Sequence, residues 1–164
     1  MNPASAKTSL DQVPALHKTI MQQRAFEPAV SVFDFGAGKE GKVDRFMLDS
    51  CFQYRPYDPF HRSEAQNFNS IINAYTCDIV LCANVLNVVE DEHLTDVLSL
   101  LAKVTCHTKE RKLYLSVYHN KSLPANRKVG DHFQRNQPLS WYIPHLQKWF
   151  SHVKKEKNYL TCLA

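Results

Sequence analysis

Two periods of apolar residues alternate along this chain. Val30-Ser31-Val32-Phe33-Asp34-Phe35 is a β-rich apolar run that stops at Gly36. A buried parallel strand ending in a glycine turn has this pattern. Cys51 to Tyr57 predicts a second strand, closed by Asp58-Pro59. Asp78 to Ala83 predicts another buried strand, and Lys112 to Tyr118 a further one. Between them the apolar spacing turns helical. Residues 10–25 predict a short N-terminal helix, and Lys39 to Leu48 a helix with Val43, Phe46 and Met47 on one face. Glu90 to Val104 predicts a helix with the stripe Leu94, Val97, Leu98 and Leu101; its acidic first turn complements the helix dipole. Leu139 to Phe150 predicts the last helix. The stretch 61–75 is ambiguous, with Phe68 to Ile72 read as a short third strand. Residues 119–137 read as a long polar loop made basic by Lys121, Arg127, Lys128 and Arg135 against Asp131, and Val153 to Leu163 as two short strands turning near Lys157-Asn158.

Strands alternating with helices over one short domain define an α/β sandwich with a largely parallel sheet and an antiparallel C-terminal hairpin. The 164 residues are read as a single domain, with 1–28 as an N-terminal helix and arm. Ligands on such folds bind outside the carboxyl ends of the strands. Functional residues are therefore expected in 34–41, 58–61, 73–75, 82–87 and 119–135.

Composition narrows the class. Apolar residues at 44% exclude a mostly disordered chain. No apolar run reaches the roughly 18 residues of a membrane span, and the N-terminus lacks the apolar stretch of a secretory signal. Five cysteines without a C-x-x-C pair read as reduced thiols in a cytoplasmic protein, with no metal site expected. Charge is unevenly placed. Residues 34–110 carry seven basic and twelve acidic side chains, a net of −5; residues 111–164 carry ten and two, a net of +8. The basic third is a candidate contact for nucleic acid or another anion, against the plainer reading of a solvated lysine-rich surface.

Only four glycines occur, and Gly36, Gly38 and Gly41 fall within six positions. Gly36-Ala37-Gly38-Lys39-Glu40-Gly41 has the G-x-G-x-x-G spacing between a strand and a helix, and Asp58 follows 20 residues after Gly38. Taken literally, this is a dinucleotide fingerprint. Asp34, two positions before the first glycine, argues against it, because a carboxylate there repels a pyrophosphate and attracts a cationic group. The chain also leaves no residues for a separate substrate domain.

D-x-G-x-G after the first strand, with an acid after the second, resembles class I S-adenosylmethionine-dependent methyltransferases. The segments VFDFGAGKEGKVDRF, YRPYDPFHR and DIVLCANVLNVVEDEHLTDVLSLL are similar to small bacterial and phage proteins of that kind, such as those beside DNA phosphorothioation genes. Lys18-Thr19, Val85 to Asp91 and Phe133-Gln134 extend the likeness. One departure is Glu40, where such proteins usually carry a third glycine. The resemblance implies a Rossmann-like methyltransferase sandwich and S-adenosylmethionine as cofactor. It implies that Asp34 engages the methionine ammonium and that Phe35, Gly36, Ala37 and Gly38 form the loop passing close to the cofactor. Asp58 and Pro59 would sit at the ribose, and Asn73, Ala74 and Tyr75 where adenine usually lies. Cys82, Ala83 and Asn84 would sit at the mouth of the site, with Asn84 facing the incoming nucleophile. His119 is the best general-base candidate by position and by its ordinary titration range, and His61 a weaker one. The N/D-P-P-Y/F motif of exocyclic amino methylation and a Pro-Cys nucleophile motif are both absent. The methyl acceptor therefore stays open between a nucleic acid and a small anionic metabolite. A non-catalytic cofactor-binding protein and a nicotinamide enzyme remain as alternatives.

Overall fold

The apolar run before the first glycine forms strand β1 (Ser31–Phe35), buried at every position. It lies inside a six-stranded sheet in a computed structural model that describes residues 12–27, 30–129 and 132–164. Strands β2 (Gln53–Tyr57) and β3 (Ile79–Ala83) flank β1 in parallel, and β4 (Lys112–Ser116) runs parallel to β3. Strands β7 (His152–Lys155) and β8 (Leu160–Leu163) form the expected antiparallel hairpin, with β8 antiparallel to β4. The order across the sheet is β2-β1-β3-β4-β8-β7, so β2 and β7 are its edges.

Side chains of β1 alternate between two cores, as the strand period of two requires. Val32 joins Leu16, Ile20 and Met21 of helix α1 (Ala15–Gln23) and Met47 of α2 (Lys42–Ser50). Phe33 and Phe35 join the Leu94, Leu98 and Leu101 stripe of α4 (Asp91–His107) and Tyr142 and Leu146 of α5 (Leu139–Leu146). Just past α1, Arg24 donates to both carboxylate oxygens of Glu110, at 2.6 Å each, and to the Tyr114 hydroxyl at 3.2 Å. That pair holds the helix against the start of β4 and keeps the Glu110 carboxyl below its usual range.

Three expectations from the sequence are corrected. Phe68 to Ile72 is not a strand; it lies in helix α3 (Glu64–Ile72). The reason is local: Ser63 Oγ accepts from the Gln66 amide, and Gln66 Oε1 accepts from the Ser63 amide. This capping box starts a helix. Residues 119–137 are not all loop, because β5 (Asn126–Val129) and β6 (His132–Arg135) pair as an antiparallel hairpin. Its base is tied by Asn136, whose Nδ2 donates to the carbonyls of Asn120 and Leu123, each at 2.8 Å. Strand β4 ends at Ser116, so His119 lies beyond it in a connecting segment. Residues 1–11 and 28 of the expected N-terminal arm, together with Ala29, Gly130 and Asp131, lie outside the described residues. Among the described residues no helix is long and apolar enough to cross a membrane.

Candidate functional site

Parallel strands β1, β2 and β3 end together, and the loops that follow them build one site. Gly36 and Gly38 take φ of +78° and +72°, the left-handed region that glycine reaches without strain. The loop they form is fastened to the end of β2. Gly36 N–H and Ala37 N–H both donate to the Tyr57 carbonyl, at 2.7 and 3.0 Å. Gly38 N–H donates to Asp58 Oδ2 at 2.9 Å. The other carboxylate oxygen of Asp58 accepts the amides of Phe60 and His61, at 2.9 and 3.0 Å. Asn67 holds the Asp58 backbone from both sides, accepting its N–H and donating to its carbonyl, each at 2.9 Å. Asp58 is buried, Pro59 exposed, and Tyr57 packs against Phe33 and Phe35.

Gly41, which shares the fingerprint spacing, has another role. It is the N-cap of α2, extended at φ 178°, and its amide donates to Asp44 Oδ2 at 2.9 Å. Any residue adopts that backbone. Glu40 stands at the edge of the loop, largely exposed, and accepts from Gln66 Nε2 at 2.9 Å. Buried Arg62 lies behind both acids. Its Nε donates to the Gly38 carbonyl at 2.8 Å, and its terminal nitrogens lie 2.8 Å from Asp44 and 3.6 Å from Glu40.

Asp34, two residues before the loop, is buried. Its Oδ2 accepts from the Tyr54 hydroxyl at 2.7 Å and lies 2.9 Å from His17 Nε2. Burial, with the Asp34 carboxylate second, pushes the Tyr54 hydroxyl pKa far upward, so it stays a proton donor. His17 Nδ1 is buried without a hydrogen-bond partner. Neither His17 nor Tyr54 was singled out from the sequence. His17 precedes the quoted Lys18-Thr19 on a helical apolar face, which reads as packing. Phe35 points into the core beside Tyr57 rather than toward the loop.

After β3, Cys82 is fully buried and its thiol pKa is pushed well up by burial. Ala83 is half-buried and Asn84 exposed. Asn84 has φ +60° and donates its amide to the Ser116 carbonyl at 2.9 Å. Asparagine is among the few non-glycine residues that enter this left-handed region readily, and Arg111, before β4, shares it at φ +51°. Val85 then turns back over the glycine loop: a Cβ built on Gly36 would lie 2.2 Å from Val85 Cγ2. Half-buried His119 lies three residues past the end of β4.

Two further expectations are corrected. Arg135 is not a free cation of a basic loop. It is buried, donates to the Leu86 carbonyl at 2.7 Å and to Asp91 at 2.5 Å, and stacks between Phe133 and Trp141. It thus roots the β5–β6 hairpin on the segment after β3. Asn73, Ala74 and Tyr75 lie away from the glycine loop, because neighbouring Thr76 bonds Gln53 at the amino end of β2. No strand intervenes between α3 and β3 to return the chain to the carboxyl ends. Among the described residues, one group, Glu90, Glu92 and His93 at the start of α4, could bring three ligand atoms toward one ion. Acidic side chains there also suit the helix dipole.

Neither a protein-family model nor a curated protein matches the chain. Solved structures do. A sugar N-methyltransferase, KedS8 from a Streptoalloteichus species, aligns at a TM-score of 0.58 and 10% identity, covering 91% of this chain and 86% of its own. DhpI in complex with SAH aligns at 0.54 and 14%, covering 87% and 80%. An S-adenosylmethionine-dependent methyltransferase from Clostridium acetobutylicum aligns at 0.52 and 11%, covering 93% and 91%. The chain therefore has the Rossmann-like fold of these methyltransferases, as its sequence led us to expect.

The Gly36–Val85 contact sets a test. Gly36→Ala is expected to destabilise the fold by about 3 kcal/mol, combining left-handed strain and overpacking. In a Val85→Ala background the same change should cost about 1–2 kcal/mol, the strain alone. Urea denaturation of the four proteins measures both; equal costs would remove Val85 as the reason for the glycine.

Proposed function

We propose that the chain is a methyltransferase using S-adenosylmethionine. One observation carries the choice against a dinucleotide. The amides of Gly36, Ala37 and Gly38 all donate to the end of β2, and the Gly41 amide donates to Asp44. A pyrophosphate site needs such amides pointed at the ligand and a helix N-terminus free of acid. Asp44 is paired with buried Arg62 at 2.8 Å, so Asp34 and Asp58 are the carboxylates near this loop that remain to attract a cation.

The residues fit that cofactor. An ionised carboxylate offers about four acceptor sites, and Asp58 uses three on backbone amides, which leaves one for a ribose hydroxyl. Asp34, oriented by His17 and Tyr54 two residues before the loop, is the carboxylate proposed to meet the ammonium. Cys82 and Ala83 contribute the backbone at the mouth, and Asn84 presents a side-chain amide there. S-adenosylmethionine supplies, when bound, a methyl group on a sulfonium for in-line displacement. The chain's contribution is to position the acceptor, with Asn84 orienting it and His119 available to take its proton. Calorimetry with S-adenosylhomocysteine tests the reading. Binding is expected, weakened at least tenfold by Asp58→Ala; absence of binding at millimolar ligand overturns it.

The acceptor reading that the charge favours is a nucleic acid, in the setting of the phosphorothioation-associated proteins that the sequence resembles. Supporting it, Lys148, Lys154, Lys155 and Lys157 are exposed on or beside the edge strand β7, with Lys154 paired to Glu156 at 2.8 Å. The plainer function of lysines on an edge strand is to prevent strand pairing. The five unpaired cysteines fit the reducing cytoplasm in which such a partner is found. A mobility shift with duplex DNA is expected at low salt and is expected to fade steeply as salt rises; no shift at low salt excludes this partner.

A further inference from the structure

We infer that helix α3 is the contact by which two copies of this chain associate. The helix is inverted relative to an ordinary surface helix. Its buried positions are small and polar: Ser70 is buried and donates to the Pro56 carbonyl of β2 at 2.6 Å, and Asn67 is engaged with Asp58 and Arg62. Its solvent face is apolar. Phe68 is 66% exposed, Ile71 39%, Ile72 48%, and Tyr75 just beyond the helix 63%. These positions recur at three, four and seven residues, one stripe of a helix. The pattern extends beyond α3, for seven of the ten exposed large apolar side chains among the described residues come from residues 48–75.

The sheet explains why the stripe is bare. It ends at β2, so no further strand or helix of the described chain lies outside α3. Strand addition is a poor way to cover this edge. Pro56 in β2 has no N–H to donate, and its carbonyl is already taken by Ser70. A helix face remains for contact.

Charge selects the occupant. Residues 34–110 carry a net −5, yet α3 holds one charged residue, Glu64, in its first turn. The stripe is bordered by Gln66, Asn69 and Asn73. Gln66 is already bonded to Ser63 and Glu40, and Asn73 to Asn69, so these neutral side chains can meet a second copy without leaving polar groups unpaired, whereas a charged rim would repel itself across a two-fold axis. The area is also sufficient. At ~200 Å² for a fully exposed large side chain, the stripe with half-exposed Phe60 offers on the order of 500 Å² per copy. A symmetric pair then buries on the order of 1,000 Å², the lower threshold for a specific interface.

Sedimentation velocity of the full chain across micromolar to submillimolar concentrations tests this. The wild type is expected to pass from one-chain to two-chain mass. The double variant Phe68→Glu, Ile72→Glu is expected to stay at one-chain mass. It should keep the thermal midpoint that the wild type shows when dilute, since both side chains are exposed. If that variant loses its helical dichroism, Phe68→Gln replaces it and should raise the dissociation constant at least about tenfold. A wild type that stays single throughout, a mass above two chains, or a folded variant that still pairs overturns the inference.

Discussion

The short backbone bonds between the glycine loop and the end of β2 set the character of the whole site. Gly36, Ala37 and Gly38 give their amides to Tyr57 and Asp58. Once those amides are used, the loop has no donors among them for a phosphate. Its remaining electrostatic identity comes from acids. The same bonds require the loop to turn sharply, which forces positive φ at Gly36 and Gly38 and leaves Gly36 open to the side chain of Val85. Sequence spacing alone would suit a dinucleotide; the direction of three N–H groups is what supports the proposed cofactor instead.

Asp34 extends this constraint into the body of the fold. A buried carboxylate is tolerated only with donors around it. Tyr54 from β2 and His17 from α1 surround it, so the N-terminal helix is tied to the strand that leads into the loop. Arg24 repeats the device at the other end of α1 through Glu110. On the opposite side of the site, buried Arg135 does similar work, drawing the β5–β6 hairpin onto the Leu86 carbonyl and Asp91. Arg62 screens the acids at the start of α2, and Glu40 stays at the exposed edge of the loop.

Much of this was legible in the sequence. The apolar runs at 30–35 and 78–83 located β1 and β3 because a strand buried on both faces has no polar phase to confuse. Asp34, Gly36, Gly38, Asp58 and Asn84 could be picked out as candidates because motif spacing puts them at or beside strand ends, and the structure does place them there. Helix α3 was missed because Phe68 to Ile72 reads as a short apolar run, although Phe68, Ile71, Ile72 and Tyr75 recur at helical spacing; the Ser63–Gln66 capping signal was a second clue. Arg135 was read as a surface cation because composition counts charge without burial. His17 and Tyr54 carry no local signal, since their meaning lies in a contact with Asp34 across 17 and 20 residues of chain.

The central claim is that the loop amides are committed within the protein and that the site selects a cation-bearing nucleoside cofactor over a phosphate. Amide nuclear magnetic resonance of Gly36, Ala37 and Gly38 tests it most directly. The account predicts slow hydrogen exchange at these amides in the free protein, no shift on adding pyrophosphate or NADH, and clear shifts with S-adenosylhomocysteine. Fast exchange in the free protein with shifts induced by pyrophosphate or NADH would contradict it.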